Sequence, residues 1–260
     1  MNKLFNLSGK VAIVTGSSRG IGRSIAEALA DAGARVVVSS RNQAACEEVA
    51  EAINATFGDE RAIAIEADIS SKEALRALVK TTESQLGPVD VLVCNAAVSS
   101  HYGPTLEIPD EEFHKIVNSN VLSTQWLIQL VAPGMIERRA GSIVIVASLG
   151  AYIGSGMIGT YHLSKAADLQ MVRNLAVELG RHSIRVNAIS PGITRTDFAR
   201  RLWEDPTGEE MLIKRTPLCR VGEPGEMAGA AVFLAADASA FMTGQSMVID
   251  GGMSIGPART

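Results

Sequence analysis

Three residues of this sequence have types and spacing suited to proton chemistry: Ser148, Tyr161 and Lys165. Tyr161 and Lys165 are four apart in a helical pattern that starts near Thr160, so they share one helix face. Ser148 follows Ser142-Ile-Val-Ile-Val-Ala147, an apolar run that reads as a buried parallel strand. Open parallel sheets bind ligands at the carboxyl edge, where such a strand ends. A hydroxyl, a phenol and an ammonium are therefore aimed at one place. A free phenol titrates near about 10 and is a poor proton carrier at neutral pH. A neighbouring cation favours phenolate, and lowering the pKa by two to three needs roughly 3–4 kcal/mol of selective stabilisation. A Tyr and a Lys at this spacing more often mark a core ring beside a solvated charge, so the surrounding elements must decide.

Those elements alternate strand and helix along the whole chain. Lys10 to Thr15 is a short apolar strand, followed by Gly16-Ser-Ser-Arg-Gly20-Ile-Gly22 and an amphipathic run that stops at Gly33. Gly16 suits a tight turn, Gly20 a close backbone approach and Gly22 close packing of helix on sheet. The helix N-terminus offers free N–H groups and a positive dipole to a pyrophosphate. Arg35 to Ser40 is the second strand, and its end is where a dinucleotide site discriminates its ribose. No acid stands there. Ser40, Arg41 and Asn42 do, and Arg41 with Arg19 of the glycine turn can meet a 2′-phosphate, favouring NADP over NAD.

Strands follow at 61–67, ending in Asp68-Ile69, and at 89–94, ending in Asn95-Ala-Ala97. Helices are expected over 43–57, 71–86 and, in one long pattern, 110–139, with Asn120 inside it flanked by apolar residues and in need of a partner. Pro133-Gly134 is expected to kink that helix without ending it. The helix carrying Tyr161 runs to about Arg181, a sixth strand covers 185–190, and Pro191-Gly192 turns the chain. Residues 194–214 are mixed and read as a short helical insert or lid. A helix over 226–236 and a strand over 246–250 complete the pattern, without linker or repeat. The expected architecture is α/β: one doubly wound, Rossmann-type parallel sheet of about seven strands in a single domain spanning 1–260, with a substrate-side lid near 194–216.

Composition agrees with that class. The 260 residues are 47% apolar and only 4% aromatic, typical of a Val/Ile/Ala-rich sheet wrapped by helices. A net charge of −4 leaves no broad basic footprint for nucleic acid. The cysteines, Cys46, Cys94 and Cys219, are odd in number and scattered, which argues for reduced thiols. The histidines lack metal-ligand spacing, so no metal is expected. No leader-like or membrane-length apolar run occurs, so a cytoplasmic protein without membrane partners is expected, and the terminal Ala-Arg-Thr260 is not a peroxisomal address.

Taken in order, these motifs resemble the short-chain dehydrogenase/reductase superfamily, over nearly the whole chain. Thr15 to Gly22 resembles its TGxxxGIG, Asp68 its acid after the third strand and Asn95-Ala-Ala97 its NNAG. Asn120 matches its helix Asn, Ser148 its strand-end Ser, Tyr161-His-Leu-Ser-Lys165 its YxxSK, and Pro191-Gly192 with Thr196 its PGxxxT. Two departures stand out: Cys94 and Ala97 replace the usual Asn and Gly, and Thr194 replaces Ile or Val. Ser40-Arg41 and Arg19 look like NADP-preferring members, and 37–41 and 196–198 look like carbonyl/retinal reductases and related bacterial enzymes.

The resemblance implies a hydride transfer between NADP(H), less favourably NAD(H), and a carbonyl or secondary alcohol. Tyr161 is then the general acid or base, Lys165 lowers its pKa and holds the nicotinamide ribose, Ser148 donates to the substrate oxygen, and Asn120 holds a water linking Lys165 to solvent. It implies cofactor contacts from Gly16, Ser18, Arg19, Gly20, Ile21, Gly22, Ser40, Arg41, Asn42, Asp68, Ile69, Asn95, Ala96, Ala97, Tyr161, Lys165, Pro191, Gly192, Ile193 and Thr196. Ser148, Ala151, Tyr152, Ile153, Phe198, Leu202 and Trp203 are read as lining an apolar substrate pocket. The partner is a small carbonyl or alcohol, and the assembly a homotetramer. Two alternatives stay open: a 3-oxoacyl-thioester reductase, with Arg138-Arg139 docking an acidic carrier, and a nucleotide-sensing binding protein without turnover.

Overall fold

Among the described residues, 3–58 and 60–257 of a computed structural model, seven short apolar runs pair into one parallel sheet. They are β1 (Val11–Thr15), β2 (Arg35–Ser39), β3 (Ala62–Ala64), β4 (Val91–Cys94), β5 (Gly141–Val146), β6 (Ile184–Pro191) and β7 (Ser246–Ile249). Their order across the sheet is β3-β2-β1-β4-β5-β6-β7, so the direction of winding reverses between β1 and β4. The carboxyl ends of strands flanking such a reversal open a crevice, and that crevice is where ligands bind. The terminal tripeptide read above lies outside the described residues.

The strands are buried on both faces, which explains their unbroken Val/Ile runs. Ile13, Leu92 and Ile143 face one layer with α3 (Lys72–Gln85), α5 (Ser123–Arg138) and α6 (Gly159–Leu179). Ala12, Val14, Val93 and Val144 face the other with α1 (Gly20–Asp31), α2 (Gln43–Phe57) and α9 (Gly225–Ala235). α4 (Asp110–Val117) precedes α5, and the short α7 (Arg200–Trp203) and α8 (Pro206–Arg215) occupy the expected lid. Cys46 and Cys94 are buried free thiols and Cys219 is an exposed one.

One expectation needs correction and two gain detail. The third strand is Ala62–Ala64, not 61–67; it lies at the sheet edge with one partner, and only isolated bonds, Ile65 N to Val38 O and Ala67 N to Ser40 O (both 3.0 Å), continue the pairing. The helix expected over 110–139 stays helical throughout but is widened by a π turn at Asn118–Leu122, where Asn120 turns its amide to a neighbouring segment. Such one-turn π bulges recur at functional sites. The helix carrying Tyr161 ends at Leu179 and is followed by a single 3-10 turn, Gly180–His182. Pro133 sits within a continuous α5.

Candidate active site

β5 delivers Ser148 to the carboxyl edge in an extended conformation (φ −168°, ψ 156°), and a 3-10 turn at Leu149–Ala151 follows at once. Ser148 Oγ accepts the Gly150 N–H at 3.0 Å, so its hydroxyl hydrogen stays available to another acceptor. The turn lies against α6 because residue 150 is glycine: a Cβ there would stand 2.5 Å from the His162 ring. His162 is pinned in turn through Nδ1 to the Ile153 carbonyl at 2.9 Å. This packing brings Ser148 into hydrogen-bonding contact with the Tyr161 phenol.

Lys165 is 3% exposed, with Nζ 5.8 Å from the centre of the Tyr161 ring. Nζ donates to the Val146 carbonyl and to Asp168 Oδ2, each at 2.9 Å. Burial is the strongest single influence and opposes its charge, but the Asp168 carboxylate and its hydrogen bond, together with Tyr161 and Cys94, hold the ammonium above its ordinary pKa. For Tyr161, burial pushes the phenol up, Lys165 and then the Ser148 bond pull it down, and Asp168 pushes it up again. The expected lowering by Lys165 is present, but it loses: the phenol ends above its ordinary value. Asn120, 1% exposed, accepts from Val98 N at 2.8 Å and donates to Val98 O at 3.0 Å and Ser164 Oγ at 2.9 Å. Both amide hydrogens are thereby committed to joining the 95–98 segment to the second turn of α6.

The glycine turn forms a second part of the site. Gly16 (φ +65°) and Gly20 (φ +57°) hold left-handed conformations that favour glycine. A Cβ at Gly22 would press into the Gly16 carbonyl and the Asn95 amide. Asn95 Nδ2 donates to the Thr15 carbonyl at 2.9 Å and the Gly16 carbonyl at 3.2 Å, and Thr15 Oγ1 accepts from the amides of Asn95 and Ala96. The end of β4 thus braces the turn. No side chain caps the N-terminus of α1, whose first-turn N–H groups face the crevice edge. A bare, positive helix end beside close-packed glycines fits a dinucleotide's pyrophosphate. Gly16, Ser18, Gly20, Ile21, Gly22, Asn95, Ala96 and Ala97 are the residues that would hold it.

At the end of β2, Arg41 is exposed and lies close enough to Asp68 to help lower its pKa, after the Ser70 N–H, the main cause of the lowering. Asp68 Oδ1 accepts from Ser70 N at 2.9 Å and Ser70 Oγ at 2.8 Å, leaving its other oxygen free of this turn. Asn42 caps α2 by accepting from Ala45 N at 3.1 Å, and Ser40 Oγ meets Cys46 Sγ at 3.1 Å. Arg19 is highly exposed and pairs with Asp197 at 3.6 Å, so it bridges the glycine turn to the segment after β6.

On the third side, Gly192 packs so tightly on Asp250 that a Cβ would stand 2.6 Å from its Cα. Thr194 bridges Gly222, and Thr196 Cγ2 would stand 3.3 Å from a Cβ on Gly20. Phe198 packs at a tilt on Tyr161, with ring centres 5.6 Å apart, so the segment after β6 reaches the ring of Tyr161. Tyr152 is 47% exposed and Arg201 covers the Tyr102 ring at 4.9 Å. Trp203 is committed to its own segment, donating to the Thr196 carbonyl at 3.2 Å beneath Arg195. Leu202 is half-buried on α7.

Sequence reasoning missed Ser17, Gly150, His162, Ser164 and Asp168. Ser17 is fully buried; its Oγ donates to Val14 O at 2.6 Å and accepts from Ser39 N at 2.9 Å, fastening the glycine turn to β2. Only Ser164, inside the YxxSK match, carried a usable signal. Arg138 and Arg139, read as a possible carrier-docking pair, donate to the Val89 and Arg181 carbonyls at 2.8 and 3.0 Å. They brace the far end of the sheet.

The chain matches the family model described as enoyl-(acyl carrier protein) reductase over residues 16–254. It is 40% identical over 247 residues to dehydrogenase/reductase SDR family member 4 of Bos taurus, covering 95% of this chain and 88% of that protein. It is 36% identical over 255 residues to 5-keto-D-gluconate 5-reductase of Escherichia coli (strain K12), covering 98% and 99%. Its fold superposes on a crystal structure of a gluconate 5-dehydrogenase from Burkholderia cenocepacia J2315 in complex with NADP and tartrate, with a TM-score of 0.92, 31% identity and coverage of 97% and 98%. With relatives this similar along nearly its whole length, the chain belongs to the short-chain dehydrogenase/reductase family, the oxidoreductases that its motifs resemble.

Proposed function

We propose that this enzyme reduces a small carbonyl compound with NADP(H), using Tyr161 as the general acid. The observation that carries the reading is the convergence of Ser148, Tyr161 and Lys165 at the carboxyl edge, beside the glycine turn. A bound nicotinamide nucleotide supplies the hydride. The chain's own residues do the rest. Ser148, whose oxygen already accepts from Gly150, donates its hydrogen to the substrate oxygen where negative charge develops. Tyr161 gives its phenolic proton to the same oxygen. Lys165 stays charged and stabilises the phenolate left behind, and Asn120 holds Val98 and Ser164 around them. Because burial favours the protonated phenol, reduction has its acid ready at neutral pH, whereas alcohol oxidation must wait for phenolate at higher pH.

The ends of β2 and β3 support the NADP preference: an exposed Arg41 stands where an acid would read an unphosphorylated ribose. Arg41→Ala is expected to weaken NADPH binding about tenfold, or 1.4 kcal/mol, and to leave NADH unchanged. Fluorescence titration with both nucleotides checks it. The reading also takes residues 194–216 as the substrate lid of one catalytic domain, and the enzyme as a cytoplasmic homotetramer. Leu163 and Val177, exposed along α6, support helix-to-helix assembly. No helix among the described residues is long and apolar enough to cross a membrane.

The deciding experiment follows NADPH consumption with three carbonyl classes: keto sugar acids, apolar ketones and aldehydes, and 3-oxoacyl thioesters. Keto sugar acids are favoured as a first class by the 5-keto-D-gluconate 5-reductase similarity. Phe198 beside the phenol favours a substrate with an apolar flank. Tight NADPH binding without turnover on any class would replace the reductase reading with nucleotide sensing.

A further inference from the structure

Asp168 follows Lys165 by three residues on α6, so the two side chains share a face. That face points into the core. The Asp168 side chain is 0% exposed, and its neighbours along the helix, Leu169 and Val172, belong to the apolar cluster. Oδ2 accepts from Lys165 Nζ at 2.9 Å, while Oδ1 has no hydrogen-bond partner among the described residues. A buried carboxylate with one oxygen unpartnered is a costly group, and an apolar side chain would suit the position better. Asp168 caps no helix and closes no turn. Among the described residues, its one hydrogen-bonding contact is the ammonium behind Tyr161.

We propose that Asp168 is a positioning residue of the active site, which fixes the Lys165 ammonium against the end of β5 and offsets part of its charge toward Tyr161. The proposal rests on the reading of Tyr161 and Lys165 as the proton-handling pair. The groups around the pair come from several elements: Cys94 at the end of β4, the Val146 carbonyl of β5, Ser148, Tyr102, Asn120 of the π turn, and Ser164 on α6 itself. Burial pushes the Cys94 thiol up, so it stays neutral. Burial pushes the Asp168 carboxyl up and the Lys165 ammonium, bonded to it, pulls it back; as an ion pair with Lys165 it gives the cluster one positive and one negative charge. Losing a proton from Tyr161 or Lys165 leaves a net negative charge in a buried site. Without the Asp168 carboxylate the same loss would leave it neutral. Whichever of the two gives up the proton, removing the neighbouring negative charge makes the loss easier.

Asp168→Asn keeps an acceptor for Lys165 but removes the charge; Asp168→Ala removes both. Two readouts apply. The first is the tyrosinate absorbance of the protein on alkaline titration, less that of Tyr161→Phe, which needs no turnover. The second is the pH dependence of kcat for alcohol oxidation. With Asp168→Asn, both midpoints are expected to move to lower pH by about 1 unit or more. A lowered Tm with unmoved midpoints would mean that Asp168 is only structural and would overturn the proposal. If neither variant folds, the parent protein decides: a Tyr161 midpoint above about 8.5 supports an offset lysine, and one below it overturns it. Full turnover by Tyr161→Phe would instead sink the reductase mechanism, while the absorbance midpoint still judges Asp168.

Discussion

Replacing Tyr161 by Phe is expected to lower kcat for carbonyl reduction about 1,000-fold, roughly 4 kcal/mol of barrier. The substitution removes a single oxygen. The ring keeps its packing against Phe198 and beneath Lys165, because both contacts are made by the ring and not by its hydroxyl. Ser148 loses one hydrogen-bond partner but keeps the Gly150 N–H. Thermal stability is therefore expected to stay within about 1 kcal/mol of the parent. NADPH affinity should change less than about threefold, well short of the tenfold that corresponds to 1.4 kcal/mol. Steady-state kinetics at saturating NADPH, with a melting curve and a nucleotide titration on the same preparation, separate these effects. Residual kcat within tenfold of the parent would show that another group carries the proton.

The second large effect is expected from the smallest side chain that can be added to the glycine turn. Gly22→Ala places a methyl group against the Gly16 carbonyl and the Asn95 amide. Neither neighbour can move freely. Gly16 is held in a left-handed conformation, and Asn95 Nδ2 is already bonded to the Thr15 and Gly16 carbonyls. The methyl must push α1 away from the turn or break the Asn95 bond to Gly16. Overpacking of this kind costs about 1–3 kcal/mol of stability. It also displaces the first-turn N–H groups of α1 from the phosphate position, so NADPH is expected to bind at least about tenfold more weakly. Thermal unfolding and nucleotide fluorescence read the two losses independently. Parent-like melting with parent-like NADPH affinity would refute the close-packing argument.

Much of the fold was readable because its signals are local. β1, the glycine turn and α1 occupy a single stretch of 21 residues, 11–31, whose apolar run and glycine spacing each have one reading. Asn42 and Ser71 announce the starts of α2 and α3 by capping them, as their side chains commonly do. Where the signal depends on a distant partner, the reading was incomplete. The π turn at Asn118–Leu122 holds Asn120, whose partner Val98 stands 22 residues earlier. The third strand is shortened by its place at the sheet edge, which composition cannot report. Arg138 and Arg139 look like a free basic pair in sequence and turn out to brace two backbone carbonyls.

The sequence by itself determined the alternation of elements, the glycine turn, the strand-end serine and the Tyr161–Lys165 spacing, because each follows from helical or strand periodicity within a few residues. The tertiary structure alone decided what surrounds them. It set the Gly150 turn on His162, which carries Ser148 to the phenol. It also buried Asp168 against Lys165, giving the lysine a counter-charge that its sequence neighbours do not reveal. An aspartate three residues beyond a lysine is, in sequence, an ordinary surface pair. Whether water screens that pair or the core strengthens it depends on which face of α6 the sheet covers, and only the packing of the whole chain settles that.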